Sequence, residues 1–114
     1  MKKTLILVSL SIAFGASRAE FYTGNELLQR MNSESPIERN AAIGYVMGVA
    51  DTLMFINHCP PPEVTAGQMR DMVRNYLTNV PAERHLSGDV LVNRVLKAAW
   101  PCSNNRRNNG GTNL

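Results

Sequence analysis

The chain has 114 residues, with twelve lysines and arginines against nine acidic residues, and only two cysteines. Three of the basic residues (Lys2, Lys3 and Arg18) lie in the first 19 positions, where there is no acidic residue, so residues 20–114 carry nine charges of each sign. A region that is neutral overall lacks the basic surface that nucleic-acid binding requires, and its length suits one small domain.

The first 19 residues have the pattern of a secretory signal peptide. Two lysines precede an apolar stretch from Leu5 to Phe14, and Ser17-Arg18-Ala19 follows with small residues at its first and third positions. We predict cleavage after Ala19 and export to the periplasm. The alternative is a membrane anchor, but about ten apolar residues are too few to span roughly 30 Å of hydrocarbon. After cleavage we expect no membrane association.

Three helix starts are predicted by capping boxes, in which a Ser or Thr exchanges hydrogen bonds with a Glu or Gln three positions later. They are Thr23 with Glu26, Ser35 with Glu38, and Thr65 with Gln68. Pro36 strengthens the second start, because a proline at the first helical position gives up an N–H that has no partner there.

The second helix is predicted to be central and mostly buried. Between Ala41 and Ile56 its only charged residue is Asp51. A buried carboxylate needs a partner, so we predict that Asp51 is a structural anion paired with an arginine or with backbone N–H groups. A catalytic acid is the alternative. Gly44 and Gly48 lie four positions apart on one face and would let another helix approach closely.

The third and fourth helices are predicted from apolar residues spaced three and four apart. In the third helix the apolar stripe comprises Met69, Met72, Val73, Tyr76, Leu77 and Val80. In the fourth it comprises Leu91, Val92, Val95, Leu96 and Ala99, and Pro101 ends the helix. No long stretch alternates polar and apolar residues. We therefore predict an all-α fold, a bundle of about four helices over residues 20–102, followed by a disordered polar tail over 103–114.

Cys59 and Cys102 are predicted to form a structural disulfide, because a small exported domain gains stability from a cross-link and no other cysteine exists. A free thiol pair is the alternative, but the two residues lack a C-x-x-C arrangement. A zinc site formed by the two cysteines with His58 and His85 is a further alternative, but the spacing of these four residues does not match that of the usual zinc-ligand pairs. No phosphate loop, paired-carboxylate motif or nucleophile elbow is present. We expect no catalytic residues, no metal and no cofactor.

A series of short motifs resembles the Tai/Rap immunity proteins. They are GNELL (24–28), GYVMGVAD (44–51), PPPEVTAGQMRDMVRNYL (60–77), PAERH (81–85) and AWPC (99–102). The resemblance implies a small helical periplasmic protein, commonly a homodimer, that binds and blocks a peptidoglycan-cleaving amidase effector delivered by type VI secretion. Members of that family often carry a further cysteine pair, near the positions where this chain has Met31 and Ala42.

For such an inhibitor we expect two partner-binding surfaces on polar, exposed segments. One is the polar side of the third helix, with Arg70, Asp71, Arg74 and Asn75; the other is the turn with Glu83, Arg84 and His85. Each segment is also compatible with a merely solvated surface. Two other functions remain open at this point: a small periplasmic stress chaperone, and a phage- or plasmid-borne inhibitor of another periplasmic target.

Overall fold

A computed structural model describes residues 21–103 of the chain. The described part contains four α-helices: α1 (Gly24–Met31), α2 (Pro36–Leu53), α3 (Ala66–Asn79) and α4 (Gly88–Ala99), with a short 3-10 helix at Pro81–Glu83. No strand lies within residues 21–103, so the predicted all-α class is confirmed. The predicted signal peptide (1–19) and nearly all of the predicted tail (103–114) lie outside the described residues.

Two of the three predicted capping boxes are confirmed. Thr23 and Glu26 exchange hydrogen bonds at the start of α1, and Thr65 and Gln68 do so at the start of α3. The prediction for Ser35 is wrong, because its side chain makes no capping hydrogen bond at the start of α2. Two neighbouring contacts explain this. Glu38 forms an ion pair with Arg30 at 3.2 Å, and the Ser35 N–H donates to the Ser33 hydroxyl at 3.1 Å.

The core is formed by one apolar face of each helix. It consists of Leu27, Leu28, Met31, Ala42, Val46, Ala50, Met69, Val73, Leu77, Leu91, Val92 and Leu96. Met31 and Ala42 are both part of this core. The prediction that Ala99 faces inward is wrong, because this last residue of α4 is exposed.

The second helix is less buried than predicted. Only Ala42, Val46 and Ala50 are fully buried among its 18 residues, and all three lie on one side. Gly44 and Gly48 are exposed on the other side, where a Cβ atom added to either glycine would meet no described atom within 4 Å. The helix packs on α1, α3 and α4 through its inner side alone.

Two close backbone approaches join the starts of α1 and α4. The Gly24 N–H donates to the Leu86 carbonyl at 2.9 Å, and the Gly88 N–H donates to the Tyr22 carbonyl at 2.6 Å. Both positions require glycine. A Cβ atom would lie 2.9 Å from the Arg84 carbonyl oxygen at Gly24, and 2.8 Å from the Tyr22 carbonyl oxygen at Gly88. This pairing fixes the α3–α4 turn (residues 80–87) against the start of α1.

Candidate partner-binding surfaces

The disulfide removes the two cysteines from any reactive role. Cys59 and Cys102 are bonded, as predicted, with their Cα atoms 5.0 Å apart. The Cys59 N–H also donates to the Trp100 carbonyl at 2.8 Å, so backbone and side chain join the same two segments. Across residues 21–103, no group of three or more His, Cys, Asp or Glu side chains is arranged to hold a metal ion. In this same range no helix is both long and apolar enough to cross a membrane.

The four residues of the first predicted surface, Arg70, Asp71, Arg74 and Asn75, lie on one side of α3 together with Thr78; this side is called the outer surface of α3. The side chain of Asp71 is 60% exposed and accepts a 2.9 Å hydrogen bond from Arg70. That hydrogen bond, together with the positive charges of Arg70 and Arg74, lowers the pKa of the Asp71 carboxyl. A shallow depression of about 490 Å³ follows this surface between Asp71 and Thr78.

Arg74 is less available to a partner than its neighbours. Its guanidinium donates to the Met31 carbonyl at the end of α1 at 3.1 Å, and its charge lies 4.0 Å from Asp71. The Arg74 side chain therefore ties α3 to α1, whereas Asn75 and Asp71 are exposed.

The second predicted surface is the α3–α4 turn, where the three residues have different surroundings. Glu83 accepts hydrogen bonds from the Tyr76 hydroxyl and, at 2.7 Å, from Arg94. These contacts, the tyrosine hydrogen bond foremost, lower the pKa of the Glu83 carboxyl. Arg84 is half-buried, with an Nε that has no hydrogen-bond partner within residues 21–103. His85 is exposed.

Different contacts hold the two predicted surfaces in place. Arg74 contacts α1, whereas Tyr76, which holds the turn through Glu83, contacts Arg94 of α4. The residues most available for a partner are thus Asp71 and Asn75 on α3 and His85 on the turn.

The prediction that Asp51 is buried is wrong, because this residue is exposed on α2. Neither the arginine partner nor the backbone partner that we predicted appears among the side-chain hydrogen bonds or ion pairs of the described residues. The error has a physical cause. A helix that is apolar around most of its circumference gives no indication of which side its neighbours cover.

Sequence reasoning missed a third surface, the α2–α3 turn at residues 54–58. Phe55 has φ of 61°, which is unusual for a bulky residue. Phe55 is 64% exposed and Ile56 is 67% exposed. The Phe55 N–H donates to the His58 carbonyl at 2.7 Å, and His58 itself is fully buried. The sequence showed only a continuing apolar run, which we interpreted as buried helix up to Ile56.

Comparison with protein families gives one decisive match. The sequence profile of the Rap1a immunity proteins matches residues 23–102, a range that contains all four helices. The chain belongs to the Rap1a immunity protein family. A comparison with individually curated proteins gave no match.

Membership of the Rap1a family assigns an immunity function directed at a secreted effector, and with it the binding of a cognate effector. The resemblance to immunity proteins inferred from the motifs is confirmed at this level. Proteins of this family are typically inhibitory rather than catalytic. For this Rap1a family protein, the exposed residues of α3 and of the α3–α4 turn are therefore candidates for contact with the effector.

Proposed function

We propose that this protein is a periplasmic immunity protein that binds and inhibits a peptidoglycan-cleaving amidase delivered by type VI secretion. The observation that carries the proposal is the family match over residues 23–102. The motif resemblance supports the amidase target, and the signal-peptide pattern before Glu20 supports action in the periplasm. The resemblance also supports a homodimer.

Inhibition of this kind requires no reactive group in the inhibitor. A rigid surface that fills the partner's cleft excludes the substrate, and a few anchor residues supply most of the affinity. We assign this role to the outer surface of α3 and to the α3–α4 turn. Both are held in place by intramolecular contacts, the first through Arg74 and Met31 and the second through Glu83 and Arg94. Such pre-organisation lowers the entropy cost of binding.

The proposal is tested with the purified protein, starting at Glu20, and an amidase encoded beside its gene. We expect a stable complex and loss of cleavage of the peptide crosslink, while the protein alone cleaves nothing. Asp71→Arg with Asn75→Arg should weaken the complex, as should His85→Glu, without a change in melting temperature. The matched control is Gln29→Arg, an exposed position on α1. An amidase left fully active by the wild-type protein would contradict the proposal.

The compartment is tested in cells that receive the amidase in the periplasm. Expression of the full chain should rescue growth, whereas deletion of residues 2–19 should abolish rescue, because the inhibitor then remains in the cytoplasm. Suppression of the aggregation of unrelated proteins in acid, without any effect on amidases, would favour the stress-chaperone alternative. Inhibition of a different periplasmic enzyme would favour the phage- or plasmid-borne alternative.

A further inference from the structure

One side of α2 is left uncovered by the rest of the described chain. Counted at 3.6 residues per turn, five exposed residues fall within an arc of about 80° on the side opposite the core. They form the outer stripe of α2: Ile37, Ala41, Gly44, Gly48 and Asp51.

Large exposed apolar residues lie at both ends of the outer stripe. Ile37, at its first end, is 82% exposed, and the α2–α3 turn with Phe55 and Ile56 lies at its other end. Beside the two glycines runs a groove of about 490 Å³, which is lined by Tyr45, Val49 and Leu53, by Thr52, and by Asp89 of α4. A contiguous apolar surface of this kind on a soluble domain marks an interaction site.

The order of residues along the stripe indicates what covers it. Counted from Val46, the two glycines lie two positions away on either side, Ala41 and Asp51 lie five away, and Ile37 and Phe55 lie nine away. The glycines and the large apolar residues are therefore alike on the two sides of this midpoint, whereas Ala41 and Asp51 differ. Across a two-fold axis residue i of one copy contacts residue j of the other, and residue j contacts residue i, so here each glycine meets a glycine and each apolar end of the stripe meets the opposite end.

An antiparallel second copy of α2 fits this symmetry. It places Gly44 against Gly48 of the second copy, where the absence of side chains permits close backbone approach. It also places Ile37 against the turn that carries Phe55 and Ile56. Large exposed apolar side chains at the two ends thus meet each other, with small residues in the middle.

The charges of the stripe are compatible with the same arrangement. Asp51 is the only charged residue between Ala41 and Ile56. In the antiparallel pair it lies opposite Ala41 of the second copy, beside the amide of Asn40. The two Asp51 carboxylates are ten residues apart along the axis, about 15 Å, so they do not oppose each other.

We infer that the outer stripe of α2 is the homodimer interface of this protein, with two copies of α2 packed antiparallel across Gly44 and Gly48. The inference locates the interface of the proposed dimer and does not depend on which enzyme is inhibited.

The first test replaces both glycines of the stripe, as Gly44→Leu/Gly48→Leu. A Cβ atom at either position meets no described atom within 4 Å in the single chain, so the variant monomer should fold and keep the helical content of the wild type. Sedimentation equilibrium should show a dimer for the wild type and a dissociation constant raised about tenfold or more for the variant. The matched control is Gly67→Leu on α3, where the nearest atom to a Cβ is 3.7 Å away, and it should dimerise like the wild type.

The second test probes the antiparallel register by a charge exchange. Ala41→Glu puts a carboxylate opposite Asp51 of the second copy and should weaken the dimer. Adding Asp51→Lys should restore it, because the two positions then attract each other. In a parallel pair residue 41 would face residue 41, and the lysine would not restore association.

A monomeric wild type, an unweakened glycine variant, or a failed restoration by Asp51→Lys would overturn the inference. Amidase inhibition is measured on the same samples. A wild type that dimerises as described but inhibits no amidase would refute the proposed target and leave the interface standing. A monomeric wild type that inhibits the amidase would refute the interface and leave the proposed target standing.

Discussion

His58 is a fully buried ionisable side chain whose two ring nitrogens have no hydrogen-bond partner within residues 21–103. Burial disfavours the charged imidazolium and lowers the pKa of His58. The folded protein therefore holds a neutral imidazole beneath the α2–α3 turn. In the unfolded chain the same group titrates at about its ordinary value of 6.5.

Stability should consequently fall on acidification. Above about pH 6.5 neither state protonates this imidazole, so His58 contributes no pH dependence; below it, the unfolded chain binds a proton that the folded protein does not. The free energy of unfolding should then decrease by up to about 1.4 kcal/mol per pH unit until the lower, folded pKa is reached. Urea unfolding of the wild type and of His58→Leu at several pH values between about 7 and 5, the range in which histidine titrates, measures the slope of the free energy of unfolding against pH. An equal slope in both proteins would show that another group is responsible.

The exposure of Asp51 leads to a second prediction about a single residue. Removal of a buried, paired anion costs several kcal/mol, whereas an exposed substitution is usually within about 0.5 kcal/mol. We expect Asp51→Ala to have the smaller effect on the free energy of unfolding, measured in urea at a fixed protein concentration. A loss of about 3 kcal/mol would mean that the residue has a partner in the folded protein.

At the scale of helices, the glycines divide into two kinds with opposite expectations. Gly24→Ala and Gly88→Ala force a Cβ atom into backbone carbonyl groups and should destabilise the fold by about 1 to 3 kcal/mol each. Gly44→Ala adds a methyl group in open space on α2 of the single chain and should stabilise the monomer by about 0.5 to 1 kcal/mol, measured at a protein concentration at which the dimer is dissociated. Thermal unfolding of the three variants compares them directly. Equal effects would contradict the close approach of α1 to α4.

The sequence predicted the starts of the helices more accurately than the contacts between them. The boxes at Thr23 and Thr65 were predictable because capping involves groups only three positions apart. The box at Ser35 failed because Glu38 pairs instead with Arg30 of another helix. The exposure of Asp71 and Asn75 also follows from helical periodicity.

Contacts between elements were not predictable in this way. Arg74 bonds to a carbonyl 43 positions away, and the outer stripe of α2 depends on where the other helices pack. Neither fact is encoded in a local pattern, because both arise only when the helices are brought together. The turn at Phe55 was missed for the same reason.

At the scale of the whole molecule, the disulfide closes a loop that contains α3 and α4 but neither α1 nor α2. Its two cysteines are 43 positions apart. In the chain-entropy model a loop of this length restricts the unfolded chain enough to stabilise the fold by about 4 kcal/mol.

We therefore expect Cys59→Ser/Cys102→Ser to lower the free energy of unfolding by about 2 to 4 kcal/mol. Urea unfolding of the variant, with the oxidised and the reduced wild type beside it, measures the effect. The reduced wild type should resemble the variant. Unchanged stability on reduction would show that the backbone contact between Cys59 and Trp100 suffices to hold the two segments together.

The two ends of the described chain differ in what surrounds them. Tyr22 is bonded to Gly88 at the start of α4, and Cys102 follows the end of the same helix, which is twelve residues or about 18 Å long. A fluorophore or affinity tag fused ahead of Phe21 would thus crowd the α3–α4 turn and His85. One placed after Ser103 would sit near the Phe55 turn, at one end of the inferred dimer interface, and would leave the α3–α4 turn accessible. For measurements of effector binding, the protein is best immobilised through its carboxyl end.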